Sequence, residues 1–282
     1  MTHVVIKDSR PNSITKGETI SLPVTVIECP SLKILSLRFY KKSPYGIKVV
    51  SEAFTDKQDK DLSRKIKLSS KQDFDAKLKE VAGKLDQFDD MRVCVYTQPR
   101  KTGIGKKKPE IFEMGIGGSS VKEKFDYVQG LLGKEIKVSD IIKPGTKVDV
   151  HAVSKGKGFQ GVIKRFHVKL MDHKAEKKRR TAPWGPSVPA KIIWGMNMPG
   201  RMGFNLKTEY NKDILMVGDK PEKVNPKGGF LHYGLVKNDF VLIKGSVPGH
   251  VRRLITFTEP IRGIKGWGHG FEVQYISQES KQ

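Results

Sequence analysis

The chain has 282 residues, 37% of them apolar, and carries 53 Lys and Arg against 30 Asp and Glu, a formal net charge of +23. So large an excess of one sign calls for a polyanionic partner, while the apolar content fills the core of one elaborated domain or two small ones and excludes a wholly disordered basic tail. No stretch approaches the roughly 18 consecutive apolar residues of a membrane span, the N-terminus MTHVVIKDSR has no secretory signal pattern, and Cys29 and Cys94 form neither a C-x-x-C pair nor a disulfide framework, which favours a reducing intracellular setting.

Residues 1 to 56 read as strands. Thr19 to Cys29 and Leu32 to Tyr40 are rich in Val, Ile and Leu, are punctuated by Pro30-Ser31, and predict an antiparallel pair. Ser51 to Arg92 then holds ten acids and ten bases, a net charge of zero. Within it Phe74, Leu78, Val81 and Leu85 recur at helical spacing, with Ser69 or Ser70 placed to cap. Met91 to Tyr96 reads as a short strand before a basic loop with Arg100, Lys101, Lys106, Lys107 and Lys108. Ser120-x-x-Glu123 is a capping-box pattern ahead of a second helix with Phe125, Val128 and Leu132 on one face. Strands resume at Thr146 to Val153, Ile214 to Val217, Phe240 to Ile243 and Val251 to Phe257, separated by Gly and Pro at the short intervals of small barrels.

The charge is uneven. Val153 to Asn205 carries twelve bases and two acids, +10 in 53 residues, with Phe159, Val162, Ile163, Phe166, two Trp and four Met threaded through it. A merely solvated charge run needs none of these apolar groups. Inside it, Thr181 to Asn205 holds four Pro and four Gly, so it forms neither a long helix nor a central strand. Irregular segments of this length in compact domains are usually functional. Lys177-Lys178-Arg179-Arg180 followed by Pro183-Trp184-Gly185-Pro186 joins an electrostatic clamp to an aromatic suited to stacking on an unpaired base. Trp194, flanked by Ile192 and Ile193, reads equally well as a core aromatic.

Enzyme chemistry finds little support. The histidines, His3, His151, His167, His173, His232, His250 and His269, form no H-E-x-x-H or H-x-E arrangement with cysteine pairs, and neither G-x-S-x-G nor G-x-x-x-x-G-K-[ST] occurs. Gly156-Lys157-Gly158-Phe159-Gln160-Gly161 is a literal G-x-G-x-x-G. Phe166, Val168 and Leu170 alternate with His167 and Lys169, however, which predicts a strand where a dinucleotide fingerprint needs a helix N-terminus. Close approach of these glycines to a phosphate chain, with Lys155, Lys157, Lys164 and Arg165 alongside, fits the neighbouring residues better. Rival readings are an RNA-modifying enzyme, which would need a cofactor pocket or metal set, and a generic nucleic-acid packing protein.

Three segments, GKGFQGVIKR at 156–165, NPKGGFLHYGLVKNDFVLIKGSVPG at 225–249 and the ending VQYISQESKQ, resemble the family of the universal large-subunit ribosomal protein three in its archaeal and eukaryotic form. The resemblance extends over the whole chain and places Met1-Thr2 at the family's Gly-Met-Thr, ahead of which members carry a basic arm that the sequence as given does not include. It implies a mainly β protein with an α insertion: a six-stranded Greek-key barrel of the translation-protein type from 1–56 and 141–282, an αβ insertion at 57–140, and a long irregular extension, 155–207, that enters rRNA towards the peptidyl transferase centre. The rRNA-binding set expected on these grounds is Lys155, Lys157, Lys164, Arg165, His167, Lys177, Lys178, Arg179, Arg180, Trp184, Lys191, Arg201, Arg252 and Arg253, with close backbone approach to RNA at Gly156, Gly158, Gly161, Gly200 and Gly203. The tip position of the family falls on Trp184, or on Ser187 in a gapless match. The implied partners are the 23S-type large-subunit rRNA, binding near its 3′ domain early in assembly, and neighbouring large-subunit proteins in the cytoplasmic ribosome. No enzyme activity, membrane contact or homo-oligomer is implied, and no cofactor beyond structural Mg2+ belonging to the rRNA.

Overall fold

Thr2, Val4 and Ile6 turn inward while His3 and Lys7 turn out, the period-two pattern of a half-buried strand, and they form β1 (Thr2–Lys7). The computed structural model describes every residue except 11, 56–58, 68–73, 176, 177, 179, 180, 182–184, 186, 187, 189, 264–270, 281 and 282. The expected helix caps Ser69 and Ser70 lie outside the described residues. After β1 come β2 (Thr19–Glu28), β3 (Leu32–Ser43), β4 (Gly46–Phe54), α1 (Phe74–Ala82), β5 (Asp90–Tyr96), β6 (Ile111–Gly115), α2 (Val121–Gln129), β7 (Glu135–Ile136) and α3 (Val138–Ile141). The remainder supplies β8 (Lys147–Val153), β9 (Phe159–Gln160), α4 (Val162–Phe166), β10 (Gly200–Arg201), β11 (Leu206–Gly218), β12 (Phe240–Lys244), β13 (Thr256–Thr258) and β14 (Glu272–Ile276). The protein is mainly β, with four short α-helices among the described residues.

Two compact units divide the chain. The first comprises Met1–Lys147, Lys212–Ser246 and Ile264–Gln282, and the second Val148–Asn211 and Val247–Gly263. In the first, β12, β2, β1 and β14 lie side by side, all antiparallel, with the last residues of β11 beside β12. Val4, Ile6, Val24, Leu215, Val224, Val236, Phe240 and Leu242 form their core. Gly218 has no side chain because a Cβ there would lie 2.4 Å from the Phe240 ring.

The first unit also holds the sheet β4-β3-β5-β6, with β7 alongside the start of β3. Ile34, Leu37, Phe39, Met91, Val93 and Val95 on one face pack against Val81 of α1 and Phe125 and Val128 of α2. The antiparallel pair expected of Thr19–Cys29 with Leu32–Tyr40 does not form. β2 has both edges taken by β1 and β12, and β3 has both taken by β4 and β5. Pro30-Ser31 passes the chain from one sheet to the other, and Cys29, just past β2, donates its N–H to the Asp239 carbonyl at 2.7 Å. β3 and β4, from the range expected for the body, thus share a sheet with β5 and β6 from the range expected for the insertion.

The local signals fare differently. α1 buries Val81, but Leu85 falls beyond it in a 3-10 turn and still packs on the same core. Ser120 caps α2 through its hydroxyl, which accepts the Glu123 N–H at 3.2 Å. The return half of the box is displaced by one residue, since the Glu123 carboxylate accepts from the N–H and hydroxyl of Ser119. The strand expected over Val251 to Phe257 is confined to Thr256–Thr258. Val251 and Arg252 turn instead, with Arg252 at φ 71° and the Arg253 N–H on the His250 carbonyl.

Two carboxylates of the first unit hold its loops. The buried Asp8 accepts from the Arg10 guanidinium at 2.8 and 2.9 Å and from the hydroxyls of Ser13 and Thr15, each at 2.7 Å. These donors, Arg10 foremost, hold its carboxyl far below the usual carboxylate range. Glu135 takes Lys101 at 2.7 Å and Ser31 at 2.6 Å, which lower it to about 2. Both groups release their protons more readily folded than unfolded. Their stabilisation is therefore complete above an unfolded pKa of about 4 and is lost as the pH falls through the folded values. Asp8→Asn should destabilise the protein at neutral pH and flatten the loss of stability below about pH 4. Urea midpoints measured at pH 7 and pH 3 check this; equal pH dependence in variant and parent would contradict it.

Candidate nucleic-acid interface

The two glycine-rich motifs of the basic segment meet in the second unit. Gln160 pairs with Gly200 and Phe159 with Arg201 in the β9–β10 ribbon. Lys157 N–H donates to the Met202 carbonyl, Met202 N–H to that of Gly158, and Ser154 N–H to that of Asn205, each at 2.9 Å. GKGFQG and GRMGFN thus form the root from which residues 161–199 depart and return.

At Gly203 glycine is required for reasons internal to the chain. A Cβ on Gly203, at φ +74°, would sit 2.1 Å from the Lys155 carbonyl oxygen, and one on Gly200 would lie 2.7 Å from Arg165 Nη1. Gly158 adopts φ +69° in open space, Gly161 is open as well, and Gly156 faces only Phe204 Cβ at an ordinary 3.6 Å.

The strand predicted through Phe166, Val168 and Leu170 is absent. α4 starts after Gly161, buries Val162 and ends at His167, whose φ of 57° is left-handed; Leu170 makes a single bridge to Thr181. Sequence alternation failed because the helix is too short, at five residues, to show its own period. The strand before it is one edge of an antiparallel ribbon, so the parallel βαβ setting of a dinucleotide fingerprint is also missing.

Two arginines of the expected set staple this root. Arg165 donates from Nη1 to the Met198 carbonyl at 2.7 Å and lies 4.9 Å from the Phe166 ring centre. Arg253 donates to the carbonyls of Val153 and Ser154 at 2.9 and 2.8 Å and lies 5.3 Å over the Phe204 ring. Arg201 is exposed and reaches Asn205 Oδ1 at 3.2 Å. Lys155, Lys157, Lys164, Lys178, Lys191, His167 and Arg252 are exposed, and none has an ion-pair partner among the described residues. Lys177, Arg179, Arg180, Trp184 and Ser187 lie outside the described residues.

Exposed apolar groups accompany these cations. Trp194 is 99% exposed, with Ile192 and Ile193 exposed beside it, so it is no core aromatic; Phe159 on the ribbon is 75% exposed. Sequence reasoning missed a further stack, Arg262 lying 4.2 Å over the ring of Tyr210. It missed the supports beneath as well. Buried Asp149 accepts the N–H groups of Asn211 and Ile261, and His151 bridges the hydroxyls of Thr208 and Thr258. The spacings of these partners, some 50 to 110 residues, leave no local signal. Among the described residues no three His, Cys, Asp or Glu side chains gather as for a metal ion, and no helix is long and apolar enough to cross a membrane. Exposed cations beside exposed aromatics are suited to binding a phosphate chain and stacking on bases.

Gly203→Ala should open the ribbon, destabilising it by about 1–3 kcal/mol from the left-handed backbone alone, before the carbonyl clash is counted. Hydrogen exchange at the Lys157 and Met202 amides should accelerate, while Gly156→Ala leaves both protected.

Comparison with known proteins gives this surface its context. A family model described as ribosomal protein L3 matches residues 1–282. The chain is 42% identical over 288 residues to large ribosomal subunit protein uL3 of Methanosphaera stadtmanae, an alignment that covers 100% of the chain and 86% of the relative. Identity is 44% over 286 residues to uL3 of Archaeoglobus fulgidus, with 100% and 86% covered, and 39% over 286 residues to uL3 of Methanocaldococcus jannaschii, with 100% and 85% covered. A match that runs from the first residue to the last, with glycine-framed ribbon, basic segment and both sheets inside it, means that the chain belongs to the ribosomal protein L3 family.

Proposed function

We propose that the protein is a structural rRNA-binding component of the large ribosomal subunit in the cytoplasm, seated near the 3′ domain of the large-subunit rRNA. It joins early in assembly, and its extension, 155–207, reaches towards the peptidyl transferase centre. The observation that carries this reading is the ribbon root, which holds exposed lysines without an ion-pair partner among the described residues, and the exposed Phe159, at the base of a segment bearing the fully exposed Trp194. The family is a structural part of the ribosome, and the protein is not an enzyme.

The mechanism is charge neutralisation combined with stacking. Each lysine that meets a phosphate releases condensed counterions, and exposed aromatics stack on unpaired bases where RNA helices leave them open. Neighbouring large-subunit proteins complete its surroundings, Mg2+ ions are held by the rRNA, and neither a membrane nor a second copy of the chain is involved. For the body we propose the six-stranded Greek-key barrel of the translation-protein type. Antiparallel neighbours drawn from distant parts of the chain, such as β1 with β14 and β2 with β12, support it.

A generic packing protein would bind duplex DNA as well as rRNA. A salt titration against a 3′-domain rRNA transcript and a DNA duplex separates the two: specific binding persists on the transcript at salt concentrations that release the duplex. Release from both at the same salt would sink the proposal. In the same assay Trp194→Ala should weaken binding to the transcript by about 1–3 kcal/mol, the value of one stacked base. Thermal unfolding should not change, because the side chain contributes nothing to the core.

A further inference from the structure

The first unit carries a second basic and aromatic element, far from the extension in sequence. β3 pairs with β5 only as far as Tyr40 opposite Asp90, but with β4 it continues through Lys41–Lys48, Lys42–Ile47 and Ser43–Gly46. These last three pairs project beyond the sheet as a two-stranded ribbon. All ten residues from Lys41 to Val50 are exposed, and none is acidic.

Charge pairing along β3 and β4 reverses between the sheet and the projection. Within the sheet Arg38 lies opposite Glu52, and the two are ion-paired at 3.0 Å. In the projection Lys41 lies directly opposite Lys48 on the same face. Like charges in that position destabilise a strand pair, and Lys41, Lys42 and Lys48 have no ion-pair partner among the described residues. The tip is built to hold its shape. Ser43 Oγ donates to the Gly46 carbonyl at 2.8 Å, Gly46 adopts φ +126°, and Pro44 stiffens the turn that presents Tyr45, 101% exposed. At the root, Lys42 N–H donates to Asp89 Oδ2 at 2.6 Å and Asp89 N–H to the Tyr40 carbonyl at 2.9 Å. Such a preformed tip orders no loop on binding.

We propose that this hairpin is a second RNA-contact element, independent of the extension: Lys41 and Lys48 straddle a phosphate chain, and Tyr45 stacks on an unpaired base of a loop in the large-subunit rRNA. The inference rests on the rRNA-binding reading above. A neighbouring protein as occupant would leave the facing lysines uncompensated unless it were strongly acidic, whereas a phosphate chain offsets them directly.

The test uses the full chain and a large-subunit rRNA transcript. The Lys41→Ala/Lys48→Ala variant should reduce the slope of log K against log salt by about 1.4, two phosphates at roughly 0.7 each on single-stranded RNA. Tyr45→Ala should weaken binding about tenfold with the slope unchanged. In hydroxyl-radical footprinting, the nucleotides exposed by the lysine substitutions should differ from those exposed by Lys155→Ala/Lys157→Ala. Should the alanine pair impair folding, Lys41→Gln/Lys48→Gln keeps the alkyl stems and removes the charges. Wild-type slope and footprint in the hairpin variants overturn the proposal, including the case where they lose affinity for another large-subunit protein instead. An unsubstituted chain with no preference for rRNA over duplex DNA overturns the rRNA-binding reading itself, and the hairpin proposal with it.

Discussion

Everything the second unit can do depends on the close approach of the backbone at Gly203 to the carbonyl of Lys155. Residues 161–199 leave and rejoin the ribbon at this root, and closing a segment of that length costs about 3 kcal/mol in chain entropy. Backbone bonds between residues 154–158 and 202–205, each contributing about 0.5–1.5 kcal/mol, together with the guanidinium bonds of Arg165 and Arg253, offset that cost. A side chain at position 203 would force the strands apart and leave those donors facing water.

The same economy separates arginine from lysine. A guanidinium is a planar fork of five donors, suited to gripping two carbonyls in fixed geometry, and Arg253 does so at the root. The ammonium of lysine is a point charge on a flexible stem, and the lysines around the root stand exposed and unpaired among the described residues. In the first unit the acids of the insertion range take up such charges: Lys33, Lys65, Lys101, Lys106 and Lys124 all meet carboxylates. The net charge of +23 therefore arises from where acids are withheld as much as from where bases are added.

Much of the fold was legible because it depends on local period. β5, β8 and β12 follow from alternation or short apolar runs, and the apolar face of α2 from helical spacing, with Ser120 as its cap. What local period lacks is the identity of the partner. The apolar content of β2 and β3 was plain, yet each is a central strand with both edges occupied, and nothing in TISLPVTVIEC or LKILSLRFY says by which strands. Left-handed backbone at His167 and Arg252 was invisible for a related reason, since only glycine announces such conformations by its identity. At the candidate site the charges were legible, while the assignment of Arg165 and Arg253 as staples was not. It depends on carbonyls 33 and about 100 residues away.

Exposure of Trp194 follows from these constraints and was open in the sequence. A core aromatic needs a surrounding layer of apolar groups, and the segment around Trp194, broken by Pro189, Gly195 and Pro199, offers its few apolar neighbours, such as the exposed Ile192 and Ile193, no regular element on which to form one. Left in water, an indole and two isoleucines are costly to the free protein and useful only against a partner that covers them. The rigid root confines where they can be. On the proposed rRNA-binding reading, a root already held by its backbone bonds and by Arg165 and Arg253 adds no ordering cost when the partner is met.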